Sequence, residues 1–282
     1  MLQGIVTPLV TLVPGAHARW ERQAGVEELV TLAQAADRLG YHHLTCSEHV
    51  AVPEGVAATR GGCYWDPLAT LSYLAAATST IRLATHVLVL GYHHPMALAK
   101  RYGTLDRLSG GRLVLGVGVG SLGEEFELLG APFADRGERA DEALRALRAT
   151  LSRPKPSFAG DHYRYEGFVV DPCALQPRVP IWVGGRTARS LRRAVELADG
   201  WAPFGLSLSQ MSGMLTEAGP PAGFEVVLSP ERALDPIGDP DGSRRRMEEL
   251  EAAGATVANL RLFSRSLSHY CDQLEAMAQI SG

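Results

Sequence analysis

The sequence contains very little lysine, few cysteines and no long uninterrupted apolar stretch. Only Lys100 and Lys155 are lysines among 27 basic residues, and the 31 acidic residues leave a net charge of -4. An acidic chain without a basic stripe lacks the charge that nucleic-acid binding requires, so we expect no nucleic-acid partner. No run approaches the roughly 18 apolar residues of a membrane span. No basic segment precedes the apolar N-terminal residues, as it would in a signal peptide. We therefore expect a cytoplasmic protein without membrane contact.

Disulfide frameworks and metal sites are also disfavoured. The cysteines form no CxxC pair and are too sparse for a disulfide framework, so we expect reduced thiols. They are Cys46, Cys63, Cys173 and Cys271. The histidine pairs at 42–43 and 93–94 have no HExxH or Cys/His spacing beside them. Adjacent strand residues point to opposite faces, so we expect no metal site.

Apolar runs alternate with amphipathic helical patterns eight times along the chain. The runs lie at 4–10, 42–49, 81–90, 112–120, 180–185, 201–205, 224–230 and 257–263. Most are continuous, as in parallel strands whose two faces are both buried. Eight strand–helix units in 282 residues predict a (β/α)8 TIM barrel, which is an α/β fold. An open doubly wound sheet fits less well, because no GxGxxG follows the first run.

One stretch, 155–180, interrupts this alternation between the fourth helical pattern and the fifth strand run. Within it, FAGDHYRYEGF (158–168) alternates aromatic residues about a glycine turn, which is typical of a small hairpin. The stretch is too short to form a domain. We therefore predict one barrel domain over 1–282 with a hairpin insertion between helix 4 and strand 5.

A glycine-rich segment ends the fifth strand run, at the edge where such barrels bind their ligands. Gly184 and Gly185 close the strand, Arg186 follows, and Thr187 is placed to cap the next helix. Bare backbone, a helix N-terminus and an arginine together favour a bound phosphate group. The alternative is a glycine turn that only reverses the chain.

Glycine also occupies every second position at the end of the fourth strand run. Gly116, Gly118 and Gly120 precede Ser121. On a barrel strand this spacing leaves one face without side chains, and a flat ligand can lie against that face. Ser121 can then hydrogen-bond that ligand. The alternative is close packing of a helix on the strand.

The second strand run ends with the pair Glu48 and His49. A carboxylate and an imidazole at a pocket mouth can act as general acid or base near neutral pH. We predict that His49 handles a proton, with Glu48 as its helper or as a cofactor contact. The alternative is an ordinary hydrogen-bonding role at a strand end.

Two long stretches resemble signatures of the bacterial luciferase-like monooxygenase superfamily. They are 81–147, from IRLATHV to DEALRAL, and 180–201, PIWVGGRTARSLRRAVELADGW, and SEH at 47–49 adds to them. The likeness is greatest to the branch that uses the deazaflavin coenzyme F420. The resemblance implies a (β/α)8 barrel with an insertion where we place the hairpin. Relatives commonly form dimers, so a homodimer is an implied partner.

The resemblance also implies how a tricyclic cofactor ring is supported. The third strand of the family often contains a non-prolyl cis peptide bond, which by position is His86-Val87, next to Thr85. The acid/histidine pair of the family corresponds to 48–49, and its phosphate site corresponds to 184–187. Gly120, Ser121 and the acids after them correspond to the loop after strand four. His86 is a departure, since deazaflavin enzymes often have a small residue there.

The function implied is hydride transfer between coenzyme F420 and a small organic substrate. An alternative is an FMN-dependent monooxygenase that receives reduced flavin from a partner reductase. A second alternative is a non-catalytic protein that binds a flavin or deazaflavin. The anionic tail of F420 needs positive charge, for which Arg186, Arg189, Arg192 and Arg193 are the candidates. The sequence has no motif that identifies the substrate.

Overall fold

The computed structural model describes residues 1–280. Its strands are β1 Leu2–Ile5, β2 His43–Cys46, β3 Arg82–Thr85, β4 Leu88–Val89, β5 Leu113–Gly118, β6 Phe158–Ala159, β7 Arg164–Tyr165, β8 Ile181–Gly184, β9 Gly200–Ala202, β10 Glu225–Leu228 and β11 Val257–Leu260. Its α-helices are α1 Val26–Arg38, α2 Glu54–Arg60, α3 Pro67–Ala77, α4 Pro95–Leu108, α5 Gly123–Leu128, α6 Arg136–Thr150, α7 Ala188–Leu197, α8 Leu208–Ala218, α9 Pro240–Ala252 and α10 Leu267–Ile280.

Eight parallel strands close into a barrel, as the sequence predicts. Going round, the order is β1, β2, β3, β5, β8, β9, β10 and β11, and β11 pairs with β1. The short β4 continues beyond β3 and also pairs with β5. The strands are shorter than the apolar runs, because the last residues of each run turn away into loops. The short helices α2 and α5 lie in two of these loops, and their sequences have no helical period long enough to predict them.

Five of the described helices, α3, α4, α7, α8 and α9, begin at a residue whose side chain accepts a hydrogen bond from an amide of the first turn. The Asp66 side chain accepts a hydrogen bond from the Ala69 amide at 2.8 Å, with Pro67 at the first helical position of α3. In α1, the buried residues Leu29, Leu32, Ala33 and Ala36 form the face that packs on the barrel. This apolar stripe of α1 covers the outer surface of the strands.

Side chains alternate along each strand between the helix layer and the barrel interior. One interior layer is apolar and consists of Ala84, Val114, Trp182, Ala202, Val227 and Val257. Polar residues also lie inside the barrel. His43 is fully buried, and a Cβ at Gly4 would lie 2.1 Å from its ring, so glycine at position 4 makes room for the imidazole.

The predicted hairpin is present as the antiparallel pair β6 and β7, in which Phe158 pairs with Tyr165. The carboxylate of Glu142, on α6, holds its turn. It accepts hydrogen bonds from the amides of Asp161, His162 and Tyr163 at 2.9, 2.8 and 2.6 Å. The hairpin is therefore attached to α6 through this buried carboxylate, and also through the Tyr165 hydroxyl, which donates to the Ala146 carbonyl at 3.2 Å.

Candidate active site

The carboxyl ends of the barrel strands surround a cavity of about 1630 Å³. A pocket for one drug-sized ligand typically measures about 300–1,000 Å³, so this cavity has room for two ligands. Three carboxylates line it, from Glu21, Glu48 and Glu231. Nine arginines line it: Arg19, Arg60, Arg136, Arg186, Arg189, Arg193, Arg232, Arg261 and Arg265. The cavity wall is thus strongly cationic in a chain whose net charge is -4.

The third barrel strand is interrupted at the cavity by a cis peptide bond between His86 and Val87, as the resemblance implied. The Ser47 hydroxyl donates a 2.7 Å hydrogen bond to the His86 carbonyl. A Cβ at Gly118 would lie 2.8 Å from Val87 Cγ2, and one at Gly184 would lie 2.7 Å from Val87 Cγ1. The Val87 side chain therefore fills the space that these two glycines leave.

The remaining glycines near this strand accommodate protein atoms as well. A Cβ at Gly116 would lie 2.0 Å from the Thr85 carbonyl oxygen, and the Thr85 hydroxyl donates to the Gly116 carbonyl at 2.7 Å. Gly120 has φ +80° and packs against Phe126. The alternate glycines thus serve strand packing first. The predicted alternative was packing of a helix on the strand, but Gly116 and Gly118 instead make room for the third strand, and Gly120 packs on Phe126 of α5. Gly118 and Gly120 also line the cavity.

Glu48 is buried, and its partners come from the third strand and the loop beyond it. One carboxylate oxygen lies 2.7 Å from Nε2 of His93, and the other accepts the Val89 amide at 2.7 Å. The carboxylate partner of His49 is a different residue, so the predicted helper role of Glu48 toward His49 is not seen. Glu48 instead fixes the backbone just after the cis bond.

His49 contacts Glu125, a fully buried acid on α5. Nδ1 of His49 lies 2.7 Å from Oε2 of Glu125, which also accepts the Tyr92 hydroxyl at 2.6 Å. The other oxygen accepts the amides of Val50 and Ala51. Burial raises the pKa of Glu125, but hydrogen bonds from Tyr92, His49 and the Ala51 amide outweigh it and hold that pKa below its usual value. Glu125 is therefore ionised, and it orients His49 with Nε2 left for a ligand.

Sequence reasoning missed Glu125 as the partner of His49. The two residues are 76 positions apart, and the acidic pair at 124–125 gives no indication which acid points inward. The burial of Glu125 follows from α5, a helix of six residues that positions Glu125 and Phe126 inward and Glu124 outward.

The GGRT segment begins α7 as predicted, with Thr187 as its N-cap. The Thr187 and Ser190 amides are both satisfied within the cap, since each donates to the hydroxyl of the other residue. Arg186 is exposed at the cavity and makes no hydrogen bond or ion pair with the described residues. Arg193 is buried in an ion pair with Asp141 and donates to the Gly137 carbonyl at 3.0 Å.

The arginines and Ser121 on the side of β5 are positioned by the loops. Nη1 of Arg60 donates to the Ser121 hydroxyl at 3.0 Å. Nε of Arg136 donates to the Gly120 carbonyl at 3.2 Å, and its guanidinium lies 3.8 Å from the Phe133 ring centroid. Together with Arg186, these groups form a cationic wall at the ends of β5 and β8 that could hold a phosphate and an anionic tail.

His86 lies at the cavity floor as a neutral imidazole. Burial, with a smaller contribution from the Arg261 charge, lowers its pKa to about 4. A neutral ring can accept or donate one hydrogen bond to a ligand without adding charge. This is the position where the family resemblance implied a small residue, so the floor here is narrower than expected.

Two negative findings apply to the part of the chain that the structure describes. Within residues 1–280, no helix combines the length and the apolar character needed to cross a bilayer. In the same range, no group of three or more His, Cys, Asp and Glu side chains is arranged to hold a metal ion.

Several solved structures share this architecture. The monooxygenase RslO1 from Streptomyces bottropensis superimposes with TM-score 0.76 at 23% identity, over 99% of this chain and 98% of that one. The coenzyme F420 dependent tetrahydromethanopterin reductase from Methanopyrus kandleri gives 0.70 at 16% identity, over 98% of both chains. The oxygenating constituent of 3,6-diketocamphane monooxygenase from Pseudomonas putida, in complex with FMN, gives 0.71 at 17% identity, over 99% of this chain and 97% of that one.

Sequence similarity agrees with the fold. An uncharacterised protein of Mycobacterium tuberculosis is 32% identical over 216 residues, which cover 70% of this chain and 74% of that protein. Residues 7–219, from the end of β1 to the end of α8, match the luciferase-like monooxygenase family. The chain therefore belongs to the luciferase-like monooxygenase family, whose members are oxidoreductases and monooxygenases built on this barrel.

Proposed function

We propose that this protein binds coenzyme F420 in the cavity and transfers a hydride between it and a small organic substrate. The observation behind the proposal is the charge of the cavity wall, which has nine arginines, two of them paired with Asp141 behind the wall, against three carboxylates. A phosphate with a carboxylate-bearing tail needs several cations, whereas one phosphate group needs fewer. Structural likeness to an F420-dependent reductase is compatible with this choice.

The residues present fit such a cofactor. The cavity volume of about 1630 Å³ exceeds what one ligand requires, so cofactor and substrate can be bound together. Val87 presents an apolar side chain beside Gly118 and Gly184, where a flat ring can rest. The exposed Arg186 and the first turn of α7 lie where the phosphate would bind, and Arg60 and Arg136 lie beside the tail.

The cofactor supplies the hydride chemistry when it is bound. The protein supplies a proton acceptor, because the ionised Glu125 keeps a proton on Nδ1 of His49 and leaves Nε2 as the basic atom. A substrate hydroxyl placed at Nε2 can lose its proton there as its carbon is oxidised. The aromatic ring of Tyr64, whose centroid is 4.6 Å from that of His49, shields one side of the imidazole from water.

The test is a titration of the purified protein with F420, and separately with FMN, followed by cofactor fluorescence. We expect saturable F420 binding that Arg186→Ala weakens about tenfold, the loss of one charge-assisted contact. Arg192→Ala is the matched control, since Arg192 is exposed on the same helix and does not line the cavity. Binding of FMN with no response to F420 would contradict the proposal.

The second candidate is an FMN-dependent monooxygenase fed by a partner reductase. It is favoured by the structural likeness to the FMN complex from Pseudomonas putida. Oxygen consumption with reduced FMN would identify it. A protein that binds F420 but whose properties His49→Ala leaves unchanged would instead be a non-catalytic carrier.

A further inference from the structure

Three side chains with donor groups line the cavity from β11 and α10, on the side of the barrel opposite the cationic wall at β5 and β8. Val257 points into the barrel, and strand alternation then directs Asn259 and Arg261 inward as well. Tyr270, on α10, reaches the same cavity. Neither the catalytic pair His49 and Glu125 nor the phosphate region uses these side chains.

Asn259 presents an amide nitrogen that has no partner. Its Oδ1 lies 3.3 Å from Nε2 of His43, whose Nδ1 lies 3.0 Å from Nδ1 of His42. The side chain is fully buried, and Nδ2 makes no hydrogen bond with the described residues. Buried polar atoms are rarely left in this state, so an unpaired donor on a cavity wall indicates a ligand atom.

Tyr270 is a second buried donor without a hydrogen-bond partner in the described chain. Its side chain is 1% exposed, and its hydroxyl makes no hydrogen bond with residues 1–280. Burial raises the pKa of this phenol well above its usual value, so the hydroxyl stays protonated and remains a donor. A second buried donor thus faces the same cavity without an acceptor.

Arg261 adds a positive charge beside these donors. Its guanidinium makes no hydrogen bond or ion pair in the described chain. Burial lowers the pKa of Arg261, the Glu21 carboxylate acts on it electrostatically to raise that pKa, and the two oxygens of Glu21 already accept the amides of Leu9 and Ala18. Arg261 and Tyr270 are close enough for the charge of each to change the pKa of the other.

We infer that Asn259, Arg261 and Tyr270 form a substrate subsite for a carboxylate group. Asn259 and Arg261 offer only donors here, since the Asn259 oxygen faces His43, and the Tyr270 hydroxyl can donate as well, so acceptor oxygens are the ligand atoms that all three can bind. Arg261 supplies one positive charge, and the nearby Glu21 carboxylate repels a dianion more strongly than a monoanion, which favours a carboxylate over a phosphate dianion. The inference rests on the proposed function only in assigning this part of the cavity to the substrate.

The experiment measures binding of benzoate, benzamide and inorganic phosphate to the full-length protein by calorimetry, with and without saturating F420. Benzoate and benzamide have nearly the same shape and differ in charge. We expect benzoate to bind at least about tenfold more tightly than benzamide. Arg261→Gln should abolish that preference, and Tyr270→Phe should weaken benzoate binding about threefold. Arg245→Gln, on the exposed face of α9, should change nothing.

Each contrary result has a distinct meaning. Equal binding of benzoate and benzamide, or tighter binding of phosphate, overturns the carboxylate subsite whatever the cofactor titration shows. Weaker F420 binding by Arg261→Gln, with no effect on benzoate, assigns the arginine to the cofactor tail and also overturns it. Failure of F420 to bind, with the benzoate preference intact, contradicts the proposed function and leaves the subsite standing.

Discussion

Nδ1 of His49 lies 2.7 Å from Oε2 of Glu125, so the imidazole at the cavity edge is oriented by a fully buried carboxylate. The same oxygen accepts the Tyr92 hydroxyl, and the other holds the backbone after His49. The arrangement fixes both the ring and its tautomer. Any role of His49 as a base therefore depends on a residue from a different loop.

Glu125→Gln tests this dependence. The amide oxygen can still accept the Val50 and Ala51 amides, while the group facing Nδ1 becomes a donor, so the tautomer of His49 is reversed. We expect turnover to fall about 10²-fold, the usual contribution of a positioned base, with cofactor affinity unchanged. Glu124→Gln, on the exposed side of α5, is the control. Equal turnover of the Glu125→Gln variant and the wild type would show that His49 does not act as the base.

The pKa of His86 depends on the charge of Arg261. Burial is the larger cause of its low value of about 4, and the Arg261 charge is the second. In Arg261→Gln we therefore expect the His86 pKa to rise but to remain below 6.5, measured by NMR from its ring Cε1 proton. Arg245→Gln should leave it unchanged. A His86 pKa that does not move in Arg261→Gln would contradict the electrostatic interaction between the two side chains.

Tyr270→Phe separates stability from binding. The hydroxyl is buried and makes no hydrogen bond with residues 1–280, so its removal should leave the free energy of unfolding unchanged or raise it by up to about 1 kcal/mol. Tyr41→Phe is the matched comparison, because the Tyr41 hydroxyl donates to the Leu274 carbonyl at 2.9 Å. That variant should lose about 1 kcal/mol in urea denaturation. Equal destabilisation by both would mean that the Tyr270 hydroxyl has a partner in the unliganded protein.

Gly184→Ala should destabilise the barrel because its methyl group would meet Val87 Cγ1 at 2.7 Å. Overpacking of this kind costs about 1–3 kcal/mol. Val87→Ala, which removes the opposing methyls, should recover most of the loss in the double variant. Gly116→Ala meets the Thr85 carbonyl at 2.0 Å instead, so Val87→Ala should not rescue it. Rescue of both glycine variants, or of neither, would argue against the packing described.

Glu142→Ala should loosen the hairpin. Three amides lose their acceptor, and each unsatisfied buried group costs about 1–3 kcal/mol, less where water reaches it. Burial raises the pKa of Glu142, and the backbone hydrogen bonds outweigh it and lower that pKa. The stabilisation is therefore present above pH 4.5 and is lost as pH falls through the lowered value. Proteolysis within 158–168 measures the loosening, with Arg145→Ala as control.

The barrel could be predicted from the sequence because its signal is repeated. Eight continuous apolar runs with intervening helical patterns have few other solutions, and GGRT marks both a strand end and a helix start. The hairpin followed from aromatic alternation over 158–168. The ends of the strands were harder to predict, because the apolar runs continue past the strands into loops, as the run at 81–90 does after Val89.

The site was only partly predictable, for physical reasons. The contact of His49 with Glu125 joins two loops, and its formation depends on how α5 packs, which local pattern does not encode. The donors on β11 were available to sequence reasoning, since VANLRLF alternates Val257, Asn259 and Arg261 on one face. Tyr270 could not be added, because its approach depends on the angle at which α10 crosses the strands.

The cationic cavity contains no lysine, because the two lysines of the chain lie elsewhere. Guanidinium groups stay charged at any pH the fold survives and do not form Schiff bases as lysine amines do. An enzyme that makes or consumes aldehydes or ketones brings reactive carbonyl groups against its own walls. Under the proposed hydride transfer, an aldehyde or ketone product meets no lysine amine on this wall with which to form a Schiff base, so inactivation by product should be slow.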